Sequence, residues 1–114
     1  MGEELAVAEL ERRGYAILAR RYRTRAGEID IIARDGETTV FVEVKARVSD
    51  EFGSAAEAVT AWKQRRLSRM ASDYLARSGL GCGPCRFDVV AIDGAGGPSE
   101  IVTVYTNAFD GCGS

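Results

Sequence analysis

The chain has no histidine among its 114 residues. This absence removes Ser-His-Asp and Cys-His catalysis, imidazole-ligated metals and histidine general bases together. Any chemistry must run on carboxylates, lysine, arginine, hydroxyls or thiols. No apolar run approaches the roughly 18 residues of a membrane span, so no membrane partner is expected. The opening Met1-Gly2-Glu3-Glu4 is acidic and starts no signal-peptide core, which makes the cytoplasm the expected location. Neither a repeat nor a linker is visible, and the length suits one domain over 1–114.

The three cysteines give one Cys-x-x-Cys spacing, Cys82-Gly83-Pro84-Cys85. A redox pair would sit at the start of a helix, where thiol pKa falls. This pair instead follows a helix and enters a strand. A zinc site needs about four ligands, and only Cys112 could add a third thiolate. A tight loop is the expected reading.

Net charge is −2, unevenly distributed. Residues 88–114 hold four acids (Asp88, Asp93, Glu100, Asp110) and no base, so all 15 Lys and Arg lie before them. Arg20, Arg21, Arg23 and Arg25 cluster within six residues, and Lys63, Arg65, Arg66 and Arg69 cluster again. Such local basic patches are compatible with nucleic acid, although a pI near 5.2 does not itself point to it. The first cluster reads as a solvated strand end.

Patterning predicts α-β-β-β-α-β-β. A helix over 3–13 is stopped by Gly14, and strands follow at 15–23, 28–34 and 39–47. A short helical piece begins at Ala55, and Thr60 caps a longer helix to about Arg77. In that helix Leu67, Met70, Ala71, Tyr74 and Leu75 form an apolar stripe. Strands at 86–92 and 100–106 close the chain. The helix between the third and fourth strands is long enough to be a crossover, so those strands should run parallel in a mixed α/β sheet with helices packed on it. Trp62 and Tyr74 are expected in the core, and Asp88 in a structural role.

The central hairpin carries the chemistry. The two-residue period puts Ile29, Ile31, Ala33, Val40, Val42 and Val44 on a core face. Glu28, Asp30, Ile32, Arg34, Phe41, Glu43, Lys45 and Arg47 occupy the other. If the loop 35–38 closes symmetrically, Arg34 opposes Thr39, Asp30 opposes Glu43, and Glu28 opposes Lys45. A two-residue turn at Asp35-Gly36 would set Glu28 opposite Glu43 instead.

Two carboxylates about 5 Å apart repel by roughly 3 kcal/mol at an effective dielectric near 20. A divalent cation between Asp30 and Glu43 would relieve that, and oxygen ligands with water suit Mg²⁺ or Mn²⁺. Lys45 shares their face and could orient or deprotonate a water, or neutralise charge developing on a phosphorane. The competing reading is an ordinary polar hairpin face. Glu28 either tunes this site or merely pairs with Lys45. Arg47, Lys63 and Arg66 are candidate phosphate contacts, or else a solvated basic surface.

The string Gly27-Glu28-Ile29-Asp30-Ile31-Ile32-Ala33, then Val40-Phe41-Val42-Glu43-Val44-Lys45-Ala46-Arg47, resembles the signature of the YraN-like family. These are small bacterial proteins predicted to be PD-(D/E)xK nucleases, similar to archaeal Holliday junction resolvases. Gly2-Glu3-Glu4-Leu5-Ala6, Lys63 with Arg65-Arg66, Arg86-Phe87-Asp88-Val89-Val90 and Asn107-Ala108-Phe109 resemble further landmarks of that family. The resemblance implies a restriction-endonuclease-like fold, with Asp30 and Glu43 as metal ligands, Lys45 as catalytic lysine and Glu3 as an additional acid on the metal. Ile29 stands where the nominal motif has proline. The implied activity is a Mg²⁺- or Mn²⁺-dependent DNA endonuclease, acting on branched or recombination intermediates. The alternative is a non-catalytic nucleic-acid-binding module of the same fold. Symmetric cutting of a junction would call for a homodimer, although no dimer face is legible in the sequence.

Overall fold

A computed structural model describes residues 2–47, 60–79, 83–94 and 97–109. Its elements follow the expected order: α1 (Gly2–Arg12), β1 (Ala16–Thr24), β2 (Gly27–Asp35), β3 (Thr38–Arg47), α2 (Ala61–Ser78), β4 (Cys85–Asp93) and β5 (Ile101–Phe109). The helical piece expected from Ala55 lies outside the described residues. No helix among the described residues is long and apolar enough to cross a membrane.

The five strands form one mixed sheet in the order β1-β2-β3-β4-β5, with β3 and β4 parallel and the other neighbours antiparallel. The architecture is α/β and consistent with a restriction-endonuclease-like fold. Arg34 pairs with Thr39 as expected, and Asp35 with Thr38, leaving Gly36 and Glu37 as the turn. Gly36 has φ +63°, the left-handed conformation that such a short hairpin turn requires.

Both faces of the sheet are covered, which corrects the expectation of a single core face. Ala6 and Leu10 of α1 pack on Ile31, Ala33, Val40, Val42, Val90 and Ile92. Leu67, Met70, Ala71 and Leu75 of α2 pack on Ile29, Ile32, Phe41, Phe87, Val89 and Ala91. The crossover helix has an apolar stripe that must be buried, and the outer face of the hairpin is where the β3-to-β4 connection lays it. Helix α2 begins at its Thr60 cap, whose hydroxyl accepts from the Lys63 N–H, and ends with the Gly79 N–H donating to the Leu75 carbonyl.

Ile29 is a second correction. Ile29 and Ile32, three residues apart, both face α2, so the two-residue alternation breaks at Asp30. The neighbouring strand breaks at the matching place. Arg20 pairs with Ile31 and Tyr22 with Ile29, while Arg21 between them has φ +54°. A non-glycine residue in this left-handed region marks local strain that surrounding structure must hold.

Tyr74 packs edge-on against Tyr22 and Phe41, as a core residue should. Trp62 does not enter the core: it is 61% exposed. It sits in the first turn of α2, off the apolar stripe. The arginine cluster on β1 is partly paired rather than simply solvated, with Arg20 on Glu3 at 3.1 Å and Arg23 on Glu28 at 3.0 Å.

Asp88 is fully buried, on the α1 side of the sheet, where its carboxylate accepts from Arg86 Nε (3.0 Å) and the Tyr15 hydroxyl (3.3 Å). It also accepts from the backbone N–H of Asn107 (2.9 Å), a residue with φ +50° beside the register shift in the β4–β5 ladder. Arg86 reaches on to Asp35 at 3.0 Å. Removing one partner of a buried ion pair leaves an uncompensated charge and costs about 3–5 kcal/mol. Asp88→Ala should therefore lower the unfolding free energy by about that amount in urea denaturation at pH 7. Asp88→Asn, which keeps an acceptor, should cost less.

Candidate functional site

The β2–β3 ladder runs from Asp35↔Thr38 to Ile31↔Val42. The next residues along each strand are Asp30 and Glu43, at the kink described above. There the ladder gives way to side chains: Asp30 Oδ2 accepts the backbone N–H of Val44 at 2.8 Å, and the Asp30 carboxyl also meets that of Glu43. The apolar strand positions on either side hold both acids at this opening, with Ile29, Ile31 and Val42 all essentially solvent-free.

Helix α2 closes the site from above. Lys63, in its first turn, places Nζ 2.6 Å from Glu43 Oε2. That oxygen is buried and otherwise has no hydrogen-bond partner among the described residues. Lys45 lies two residues beyond Glu43 on β3 and comes close to Lys63, so the site holds two carboxylates and two ammonium groups. This placement of Lys63 was not legible in the strand pattern. The sequence marks it only as part of a basic helix start, and the crossover turns it inward onto Glu43.

The electrostatics follow from that crowding. Burial, then the adjacent Glu43 carboxyl, pushes the Asp30 pKa up to about 7, against the pull of the Val44 N–H and Lys63. Lys45 is held below the usual lysine range, first by the Lys63 ammonium and then by burial. For Lys63, burial acts to lower the pKa but the Glu43 carboxylate outweighs it, and the net shift is upward.

The remaining candidates fall elsewhere. Glu3, on α1, faces Arg20 at 3.1 Å and Arg21 at 4.0 Å. Among the described residues no group of three or more acids or thiols is assembled that could hold a metal ion. Glu28 pairs with Arg23 at 3.0 Å and Arg21 at 3.6 Å, on the β1 side, and not with Lys45. The break at Asp30 turns Glu28 away from the register that would have faced Lys45. Arg66 lies over the Trp62 ring at 4.7 Å and against Gly27, whose missing Cβ would sit 3.4 Å from Arg66 Nε. Arg47 ends β3, but its side chain lies outside the described part. Cys85 is disulfide-bonded, so it presents no free thiolate; Cys82 and Cys112 lie outside the described residues.

The donor set suits a hard divalent cation. Two carboxylates meet at one opening, one of them carrying a buried oxygen that faces an ammonium group. Asp30 and Glu43 would hold Mg²⁺ or Mn²⁺, with water completing the shell.

Without such an ion the pair is a liability. The Asp30 pKa is raised in the folded state, so the folded protein holds a proton that the unfolded chain releases near pH 4. Asp30 is thus least costly below pH 4, and stability falls as pH rises from about 4 to about 7. In chelator at pH 8, Asp30→Asn should raise the melting temperature by roughly 5 °C, corresponding to about 1 kcal/mol in a domain of this size. The gain should shrink at pH 5, where Asp30 is already protonated. Thermal melts at the two pH values check this.

Comparison with known proteins places the chain. The family model described as uncharacterised protein family UPF0102 matches residues 2–92. A UPF0102 protein of Symbiobacterium thermophilum is 56% identical over 92 residues, covering 81% of this chain and 78% of that protein. One of Geobacter metallireducens is 49% identical over 109 residues, covering 96% and 88%. Another, of Ralstonia pickettii, is 51% identical over 98 residues, covering 82% and 78%. With matches of this length and identity across nearly all of the sheet and both helices, the chain belongs to the UPF0102 family.

Proposed function

We propose that this protein is a Mg²⁺- or Mn²⁺-dependent endonuclease that hydrolyses phosphodiester bonds in DNA, with branched or recombination intermediates as its substrates. The observation that carries the reading is the convergence of Asp30, Glu43, Lys45 and Lys63 at the opening of the β2–β3 ladder. The resemblance of the hairpin sequence to the PD-(D/E)xK signature supports the same residues. A bound Mg²⁺ or Mn²⁺ would supply Lewis-acid charge at the phosphoryl oxygen and make a water more acidic.

The chain's own groups do the rest. Asp30 and Glu43 fix the ion's position through strands anchored on both sides by core residues. Lys45, on the same strand as Glu43, orients the attacking water or takes its proton, and its ammonium form offsets charge developing on the phosphorane. Lys63 neutralises Glu43 while no cation is bound, and its ammonium becomes available to a phosphate oxygen when one is. Glu3 is retained as a further acid toward the metal on resemblance alone, since its carboxylate faces Arg20 and Arg21. A cut placed symmetrically across a junction would use two copies of the chain.

A second reading has its own support. The Lys63–Glu43 ion pair compensates one acid without any metal, as a binding module that keeps the fold without turnover would require.

A cleavage panel of linear, nicked and branched DNA with Mg²⁺ or Mn²⁺ separates the two. Endonuclease activity should fall at least about a hundredfold in Glu43→Ala and in Lys45→Ala. Calorimetric Mn²⁺ titration should show binding lost in the first variant and kept in the second. Equal cutting by parent and variants, or salt-dependent binding with no cutting of any substrate, would remove the catalytic reading.

A further inference from the structure

Along α2, the helix and the β1–β2 turn line a cleft of 590 Å³ that adjoins a smaller one of 170 Å³. Both share Ala26 and Arg69 in their walls, so they form one groove. Trp62, Arg66, Arg69, Asp73 and Arg77 are spaced four, three, four and four residues apart, a stripe down one side of the helix about 22 Å long.

The groove is basic, and part of its charge has no ion-pair partner among the described residues. Among the described residues Asp73 is its only acid, and that carboxylate accepts from the Tyr22 hydroxyl at 2.7 Å and from Arg77 at 3.1 Å. Arg25, Arg66 and Arg69 make no ion pair among the described residues. The turn carrying Arg25 is built, not slack: Thr24 Oγ1 accepts the Ala26 N–H at 3.0 Å.

At the end of the groove nearest Lys63 stands Trp62, 61% exposed, with the Arg66 guanidinium 4.7 Å from the ring centroid. A tryptophan off the apolar stripe contributes nothing to the core, and its ring is open to solvent. Cations along a groove with an exposed aromatic at one end match the recognition of unpaired nucleic acid. Phosphates track the charges and a base stacks on the ring. A base inside a duplex has its faces covered by its neighbours and cannot do this.

We propose that the groove along α2 binds an unpaired DNA strand, with Trp62 stacking a base and Arg25, Arg66 and Arg69 contacting its phosphates. This deepens the nuclease reading and rests on it: Lys63 follows Trp62 in the same turn, so a strand in the groove is led to Glu43 and Asp30. The substrate class is DNA with a single-stranded segment or unpaired branch point, not continuous duplex.

Trp62 is the only tryptophan, so its fluorescence reports directly on stacking. In chelator, where nothing can be cut, an oligothymidylate strand and a duplex with an unpaired tail should quench that fluorescence saturably. A blunt duplex should quench it far less. Trp62→Ala should weaken binding of the single strand roughly tenfold and Trp62→Phe by less, with blunt-duplex affinity little changed. Arg69→Gln should lower the slope of log affinity against log salt by about 0.7, as expected for one lost phosphate contact to a single strand. Unquenched Trp62 with bound single strand, or unchanged affinity in Trp62→Ala, would overturn the proposal. Adding Mn²⁺ separates the two readings. Quenching without cutting of the tailed duplex supports the groove and removes the nuclease, whereas cutting without quenching removes the groove and leaves the nuclease.

Discussion

Two carboxylates forced together inside a sheet are the constraint around which this molecule is arranged. Asp30 and Glu43 stand where β2 and β3 stop pairing, so their side chains take over where backbone bonds end. Like charges this close and this dry destabilise the fold unless a cation or a proton intervenes. The protein carries both remedies: Lys63 against Glu43, and a raised pKa at Asp30. The site costs stability and is held together by its surroundings, which is the arrangement the proposed cation would relieve.

The same helix serves the core and the site. The inward stripe of α2, Leu67 through Leu75, seals the sheet face, and its first turn delivers Lys63 to Glu43. Its flank carries the arginines and Trp62 of the groove. Anything that shifts α2 along the sheet would therefore move the ammonium, the basic groove and the core together. On the opposite face, the Asp88–Arg86–Tyr15 cluster ties the end of α1 to β4 and braces the left-handed bulge at Asn107. That cluster sits behind the sheet from α2, which explains how a buried aspartate in a chain of this kind can be wholly structural.

Much of the fold is legible in the sequence alone. The alternation in 39–47 and the length of the crossover gave the element order and the parallel β3–β4 pair, and of the two hairpin registers left open the structure adopts the one with Arg34 opposite Thr39. With that register, Asp30 and Glu43 are neighbours, and Lys45 follows from the period of two. Legibility ended where the period ended. The kink at Arg21 and Asp30 moved Ile29 to the α2 face and swung Glu28 to the arginines of β1. No local pattern announces such a break, because it is stabilised by contacts between strands rather than by the residues that bend. Trp62 misled for a related reason: a large apolar ring is buried by default, and only the rotation of α2 on the sheet leaves it outside.

The sequence by itself determined the hairpin and the acids on its polar face, because strand periodicity is local and acts over a few residues, while the register that joins Asp30 to Glu43 came from the structure. The sequence likewise determined that any catalysis would proceed without imidazole. Only the tertiary structure decided that the outer hairpin face would be covered, that Lys63 would be the partner of Glu43, and that the α2 arginines and Trp62 would share one groove. Those outcomes depend on how an 18-residue helix is rotated and docked on a twisted sheet. That docking is set by the summed packing of two apolar surfaces distant in sequence, which no stretch of either one encodes alone.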